Sequence, residues 1–279
     1  MRRLVNKLKK LFLFLLIIGV VVLGVFILRK NPEDQLKKIV YPSEYKVMTY
    51  NIHHGVGTDG LYSLSRIVRV IREQSPHIVC LNDVDYKTDR TYGDEQARKI
   101  AAELGMEFTF ARDLELGGGW NGNAILSKYP FEFVENKSFS PRKDSEPRAL
   151  LHTIIKIYDK QIHFYGTQLS ADSVGSGSET KEMLNVILDW GLNQPVIVAG
   201  DFNMLSTRKS LREMAYYLFD LGSLMGENSL TFPANDPVRR IDYILINDKI
   251  VPKSVYVVNN DNARIASDHL PVIAKFQIK

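Results

Sequence analysis

Residues 11–28 read LFLFLLIIGVVVLGVFIL, eighteen positions without a polar side chain, and nothing later in the chain resembles them. A hydrocarbon core about 30 Å thick can be crossed by a run at this short end of the range, and the usual signal-peptide core of roughly 7–15 residues is shorter. No Ala-x-Ala-type cleavage site follows, and the run ends in Arg29-Lys30-Asn31-Pro32. The pattern predicts an uncleaved signal anchor, with a cleaved signal peptide as the alternative. Five Lys/Arg precede the run and two follow it directly, a bias that puts residues 1–10 in the cytoplasm and the body outside. Residues 29–44, charged and with two prolines, read as a stalk.

Beyond the stalk, apolar runs of two periods alternate. Period-2 or continuous short runs predict strands at 46–50, 77–81, 107–111, 123–127, 131–137, 149–157, 161–167, 195–199, 241–246, 253–258 and 271–278. Leu61, Leu64, Ile67, Val68 and Ile71 recur at helical spacing until Pro76. Further helices are predicted at 94–104, around Met183, Ile187 and Trp190, and at 207–218. Strands outnumber helices and the helices come singly, so the pattern predicts a two-sheet α/β layered domain over 45–279. No linker-like break interrupts it.

Composition narrows the class. With 45% hydrophobic and 24% charged residues the chain is neither disordered nor fibrous, and no 20–50-residue repeat suggests a solenoid. A single cysteine, Cys80, excludes an internal disulfide. The net charge of +4 hides a division: residues 1–38 hold nine Lys/Arg and two acids, leaving 27 basic and 30 acidic groups, net −3, for the rest. An acidic body disfavours sequence-independent binding to duplex DNA, whose affinity comes largely from Lys/Arg on phosphates.

Four polar clusters sit at strand ends: Asn51-Ile52-His53-His54, Asn82-Asp83-Val84-Asp85, Gly200-Asp201-Phe202-Asn203, and Ser267-Asp268-His269 with Asp242 upstream. Singly, each reads as a turn; Asp85 and His54 stay in that class. Together they supply carboxylates, amides and an imidazole, and such hard oxygen donors suit Mg²⁺ or Mn²⁺. Ser267-Asp268-His269 cannot be a hydrolase triad, because adjacent residues point to different sides.

The ordered motifs MTYNIHHG, CLNDVD, GNAILSKYP, GDFN, RIDYIL and SDHLPV resemble the endonuclease/exonuclease/phosphatase superfamily over essentially all of 45–279, and most of all a bacterial subgroup of metal-dependent hydrolases. The resemblance implies a four-layer αββα sandwich and hydrolysis of a phosphoester by in-line attack of water. It implies metal contacts from Asn51, Asp83 and Asp268, with Mg²⁺ or Mn²⁺ as the ion. Asp201 would orient and deprotonate the water, Asn203 would donate to phosphate oxygens, and His269, held by Asp242, would stabilise phosphoryl charge or handle a proton. Asn123, His53 and Trp120 are candidate substrate contacts; a turn Asn is an equal reading of Asn123.

Two positions depart from the family pattern. Its Gln-Glu pair is here Asn82-Asp83, one methylene shorter, and its Thr-His-Leu is here Thr167-Gln168-Leu169, so Gln168 supplies an amide without a titratable proton. The Gly/Ser-rich stretch 170–178 suggests a mobile lid, or else a solvated connector. Glycines 117–119 read as a turn that presents Trp120 at the rim. The expectation is a membrane-anchored, metal-dependent phosphoesterase facing outward, with a lipid headgroup or envelope phosphodiester favoured and no obligate protein partner evident. The alternatives are an impaired member that binds a phosphorylated ligand or protein, and an extracellular nuclease.

Overall fold

Alternation along the strands sets the layers. In Val196–Asp201 the residues Val196 and Val198 face one way and Ile197 and Ala199 the other, and all four are buried. A strand buried on both faces belongs between two packed layers. The protein is described here in a computed structural model that covers residues 43–279 except Asp144, together with Leu16. The predicted anchor 11–28 thus lies outside the described residues, apart from Leu16. Among the described residues no helix is long and apolar enough to cross a membrane.

The unit Glu44–Lys279 holds two six-stranded sheets. The first comprises β1 (Tyr45–Asn51), β2 (Ile78–Tyr86), β3 (Glu107–Leu116), β4 (Gly119–Ser127), β11 (Ile250–Val257) and β12 (Val272–Ile278), in the order β11-β12-β1-β2-β4-β3. The second comprises β5 (Phe131–Ser138), β6 (Ala149–Ile157), β7 (Lys160–Gln168), β8 (Val196–Asp201), β9 (Phe219–Asp220) and β10 (Asp242–Ile246), in the order β5-β6-β7-β8-β10-β9. Each sheet is mixed, with one parallel pair at its centre: β1 beside β2, and β7 beside β8.

Apolar residues of the two sheets meet in a central core that includes Val47, Cys80, Ile125, Phe164, Ile197 and Ala274. Helices α1 (Leu64–Gln74), α2 (Gln96–Leu104) and α5 (Asp261–Ala266) cover the outer face of the first sheet. Helices α3 (Ser173–Trp190) and α4 (Lys209–Met214) cover that of the second. This is the expected four-layer αββα sandwich. Three short elements went unpredicted or shrank: α5 and β9 carry too few residues to show a period, and α4 is shorter than 207–218.

The stretch 170–178 differs from expectation. Residues from Ser173 onward are the opening turns of α3, where a mobile lid or connector was expected. Asp172 caps it, accepting from the backbone N–H groups of Val174 and Gly175, and Arg142 pairs with the same carboxylate at 2.8 Å. Gly175 is small for a packing reason: a Cβ there would stand 1.5 Å from Arg142 Nη1. Gly175 signals the close approach of a side chain, which composition cannot distinguish from flexibility.

Beneath α3 lies an aromatic stack in which the His152 ring lies 4.2 Å from Tyr165 and 4.7 Å from Trp190, and its Nε2 is 3.2 Å from His163 Nδ1. Burial, reinforced by His163, pushes the His152 imidazole down to about 3. The unfolded imidazole takes up its proton below about 6.5, so the denatured state binds more protons and stability falls as pH drops from there toward 3. We expect His152→Phe to recover part of that loss. Urea midpoints at about pH 7.5 and about pH 4.5 check it: the drop between them should be smaller in the variant than in the native chain.

Candidate active site

The strand registers converge on one end of the sandwich. Asn51 closes β1 opposite Asn82 of β2, while Gln168 closes β7 opposite Asp201, which in turn faces Asp242 at the start of β10. The antiparallel pairing of β1 with β12 brings the loop with Ser267, Asp268 and His269 to the same end, where the Ser267 hydroxyl donates to the Asn51 carbonyl at 2.8 Å. Gly200 permits the tight spacing of β7 and β8, because a Cβ at its φ of +152° would lie 1.8 Å from the Thr167 carbonyl. Of the eight described non-glycine residues with positive φ, His53, His54, Asp83 and Asn203 belong to the candidate clusters. Backbone strain of that kind concentrates where side chains must be aimed.

At the centre is Asp201, 1% exposed. Its Oδ2 accepts from Asn51 Nδ2 at 3.0 Å, and its Oδ1 accepts from the Asn203 backbone N–H at 2.9 Å. Gln168 Nε2 stands 3.5 Å from the same Oδ2, and His269 Nε2 stands 3.9 Å from it. His269 Nδ1 donates to Asp242 at 3.0 Å. Burial alone would depress the imidazole, but Asp242 and then Asp201 outweigh it and push its pKa up to about 10. Burial pushes Asp201 up to about 6; the facing His269 draws it down while Asp242 adds to the rise. An imidazolium thus stands between two carboxylates, with one nitrogen anchored to Asp242 and the other facing Asp201.

The other predicted residues fall into two groups. Asp268, about a third exposed, lies 3.9 Å from His53 Nδ1, and the His53 backbone N–H donates to Asn51 Oδ1 at 3.0 Å, so these three share one rim. Asp83 is turned elsewhere: Asn121 Nδ2 donates to its Oδ1 at 2.7 Å, His54 Nδ1 is 3.3 Å from its Oδ2, and Arg90 is 3.5 Å away. Burial would raise its pKa, but His54, Arg90 and Asn121 hold it below the ordinary carboxylate value. Asn123 is wholly buried behind Asn82, accepting from its amide at 2.6 Å and donating to Asp113 at 2.6 Å, and so reaches the cleft only through other side chains. Trp120 follows the turn at Gly117 and Gly118 as expected, but its ring stands beside the Arg112 guanidinium at 5.8 Å, outside the hydrogen-bonded cluster.

Four further residues join the site from outside the predicted set. Asn82 accepts the Asp201 backbone N–H at 3.0 Å and so fixes the strand that carries the central carboxylate. Asn121 bridges Asp83 and Asp85, His54 meets Asp83, and Arg148 donates to Gln168. The period-2 spacing of Asn121 and Asn123 in GWNGNAILS was the available signal for the amides. Arg148 offered only its place as the last charge before an apolar run.

The profile described as the Endonuclease/Exonuclease/phosphatase family matches residues 48–160 and 189–269, well over half the chain. The chain belongs to that family. Its members are hydrolases of phosphoesters, generally dependent on a divalent metal. The Escherichia coli protein YbhP is 25% identical over 246 residues, covering 84% of this chain and 96% of YbhP. The crystal structure of an endonuclease/exonuclease/phosphatase from Beutenbergia cavernae superimposes with a TM-score of 0.68 at 24% identity, over 85% of this chain and 72% of that one. A mannosyl-6-phosphatase from Bacteroides thetaiotaomicron does so with a TM-score of 0.69 at 18% identity, over 83% and 99%.

The donors suit a hard divalent ion. Amide and carboxylate oxygens predominate, and the wholly buried Asp201 has a second buried carboxylate, Asp242, beside it with one imidazolium between them. Ligand atoms of Asp201, Asp242 and His269 lie within 4.8 Å of one another, a possible metal cluster. While His269 carries its proton it offsets one of the two carboxylates, and the trio keeps a net charge of −1.

Proposed function

We propose that this chain is a membrane-anchored, divalent-metal-dependent phosphodiesterase that works on a lipid headgroup or envelope phosphodiester outside the cell. The observation that carries the chemistry is the placement of buried Asp201 beside the Asp242-held imidazolium of His269. Residues 11–28 and the basic flank before them support the anchor and its orientation.

Asp201, with a pKa near 6, is ionised at neutral pH yet still basic enough to take a proton. It accepts the proton of the attacking water as the new P–O bond forms and the bond to the leaving oxygen breaks. His269 Nε2 offsets charge on the non-bridging oxygens or returns a proton to the leaving group, while Asn203 and Gln168 contribute amide N–H donors. Asn51, Asp83 and Asp268 would hold Mg²⁺ or Mn²⁺, which polarises the phosphoryl oxygen when bound.

The test is hydrolysis of a chromogenic phosphodiester and the matching monoester by the full chain, with Mg²⁺ or Mn²⁺ and with excess chelator. Turnover should appear only with metal and should be faster on the diester. The His54, Asn121 and Arg90 contacts of Asp83 favour a second reading, an impaired member kept for binding. The Asp83→Glu variant separates the two. A working hydrolase keeps its rate and reaches half-maximum at a lower metal concentration, whereas a silent native chain that gains turnover only with Asp83→Glu and Gln168→His supports the binding reading.

A further inference from the structure

Among the described contacts, two arginines touch residues of the candidate site. Arg90 is committed to Asp85, with Nε and Nη2 on its two oxygens at 2.6 and 2.7 Å. Arg148 is placed differently. It stands just before β6, its backbone carbonyl accepts from the Phe139 N–H at 2.9 Å, and its side chain is only 13% exposed. Nη1 donates to Gln168 Oε1 at 2.9 Å, and that amide in turn reaches Asp201, so the guanidinium lies one amide away from the central carboxylate. Its charge also draws down the pKa of the buried carboxyl of Asp113, which burial raises.

Of its other N–H groups, Nη2 carries Glu146, and Nε is buried without a partner. Nη2 donates to Glu146 Oε2 at 2.6 Å, yet Glu146 is 60% exposed and sits on the loop two residues earlier. A guanidinium receives a carboxylate and a phosphoryl group through the same pair of parallel N–H bonds. An exposed carboxylate on a mostly buried, pre-positioned guanidinium costs little to displace.

We propose that Arg148 is a phosphate-binding cation of this cleft, and that Glu146 occupies its anion face until a phosphoryl oxygen displaces it. The proposal rests on reading the cleft as a phosphoester site. It gives the site a permanent positive charge beside Gln168, whose amide has none, and it favours diesters that carry a second anionic group next to the scissile phosphate.

The test is calorimetric titration of the full chain with inorganic phosphate, which needs no turnover, beside KM and kcat on the chromogenic ester. Glu146→Gln, an exposed change, should tighten phosphate by about 3- to 10-fold and lower KM with kcat little changed. Arg148→Met should weaken phosphate by about 10-fold or more, the loss expected for a hydrogen-bonded charge. Arg148→Lys should fall between, since it keeps the charge without the fork. A purely structural arginine predicts that Glu146→Gln leaves phosphate binding unchanged or weaker; that result overturns the proposal, as does failure of both native chain and Glu146→Gln to bind phosphate. If the expected affinity order appears without any hydrolysis, the hydrolase reading fails while this one stands. Turnover with no response to Glu146→Gln is the reverse case.

Discussion

Asp201→Asn should reduce metal-dependent hydrolysis by about 10³-fold or more, while leaving the folded chain as stable as before or slightly more so. The rate loss follows from removing the group that accepts the water proton, and general-base contributions alone run to about 10²–10⁴-fold. The stability expectation follows from the same burial that pushes this carboxyl up to about 6. A wholly buried charge beside Asp242 is costly, and an amide of equal size keeps the Asn203 backbone contact without it. Single-turnover rates and thermal melting of the pair check both halves. An unchanged rate would remove Asp201 from the chemistry; a lost rate with a lowered melting temperature would make it a structural residue.

Asp242→Asn should act through pH. In the native chain His269 keeps its proton up to about 10, chiefly because Asp242 lies against it in a buried setting that would otherwise strip the charge. With an amide there, only Asp201 and Asp268 oppose burial, and the imidazole loses its proton at a lower pH than in the native chain. The variant should lose about 10²–10⁴-fold in rate at mildly alkaline pH and recover part of it on acidification, whereas the native rate holds through that range. The same group contributes to folding. A raised imidazole pKa stabilises fully below about 6.5, and the contribution is lost as pH rises toward 10. Asp242→Asn should therefore cost stability most at low and neutral pH and least at alkaline pH, which a pH series of urea midpoints reads directly. A rate profile parallel to the native one would show that Asp242 does not set the charge of His269.

Much of this was legible in the sequence because strands buried on both sides write themselves as short apolar runs. Val196–Asp201, Ala149–Ile157 and Asp242–Ile246 needed little more than that, and Asp201 and Asp242 stand at the site ends of the first and the last. Contacts between residues far apart in the chain left less trace. Nothing local distinguishes Asn82, whose amide fixes the Asp201 backbone from 119 positions away, from a turn residue. Arg148 left little local sign either, because its partner Gln168 is reached only through the pairing of β6 with β7. The helix opening at Ser173 was masked by a Gly/Ser-rich composition in which Gly175 is small to admit Arg142.

The kink in β2 carries a further consequence. Opposite β4, three steps from Leu81 to Val84 match two steps from Ala124 to Gly122, so one residue is supernumerary. Up to Asn82 the even-numbered side chains point between the sheets, Ile78 and Cys80 among them, and Val79 and Leu81 point toward the helices. Val84, although even, joins Val79 and Leu81 on the helix side. Asp83 thus works as a phase shifter: it lets one strand send an amide inward at one position and a carboxylate toward Asn121 and His54 at the next. Deleting it would do more than remove a carboxylate, for the rest of β2 would rotate by half a period and carry Val84 between the sheets. Length, at this point of the chain, is as much a part of the site as chemistry.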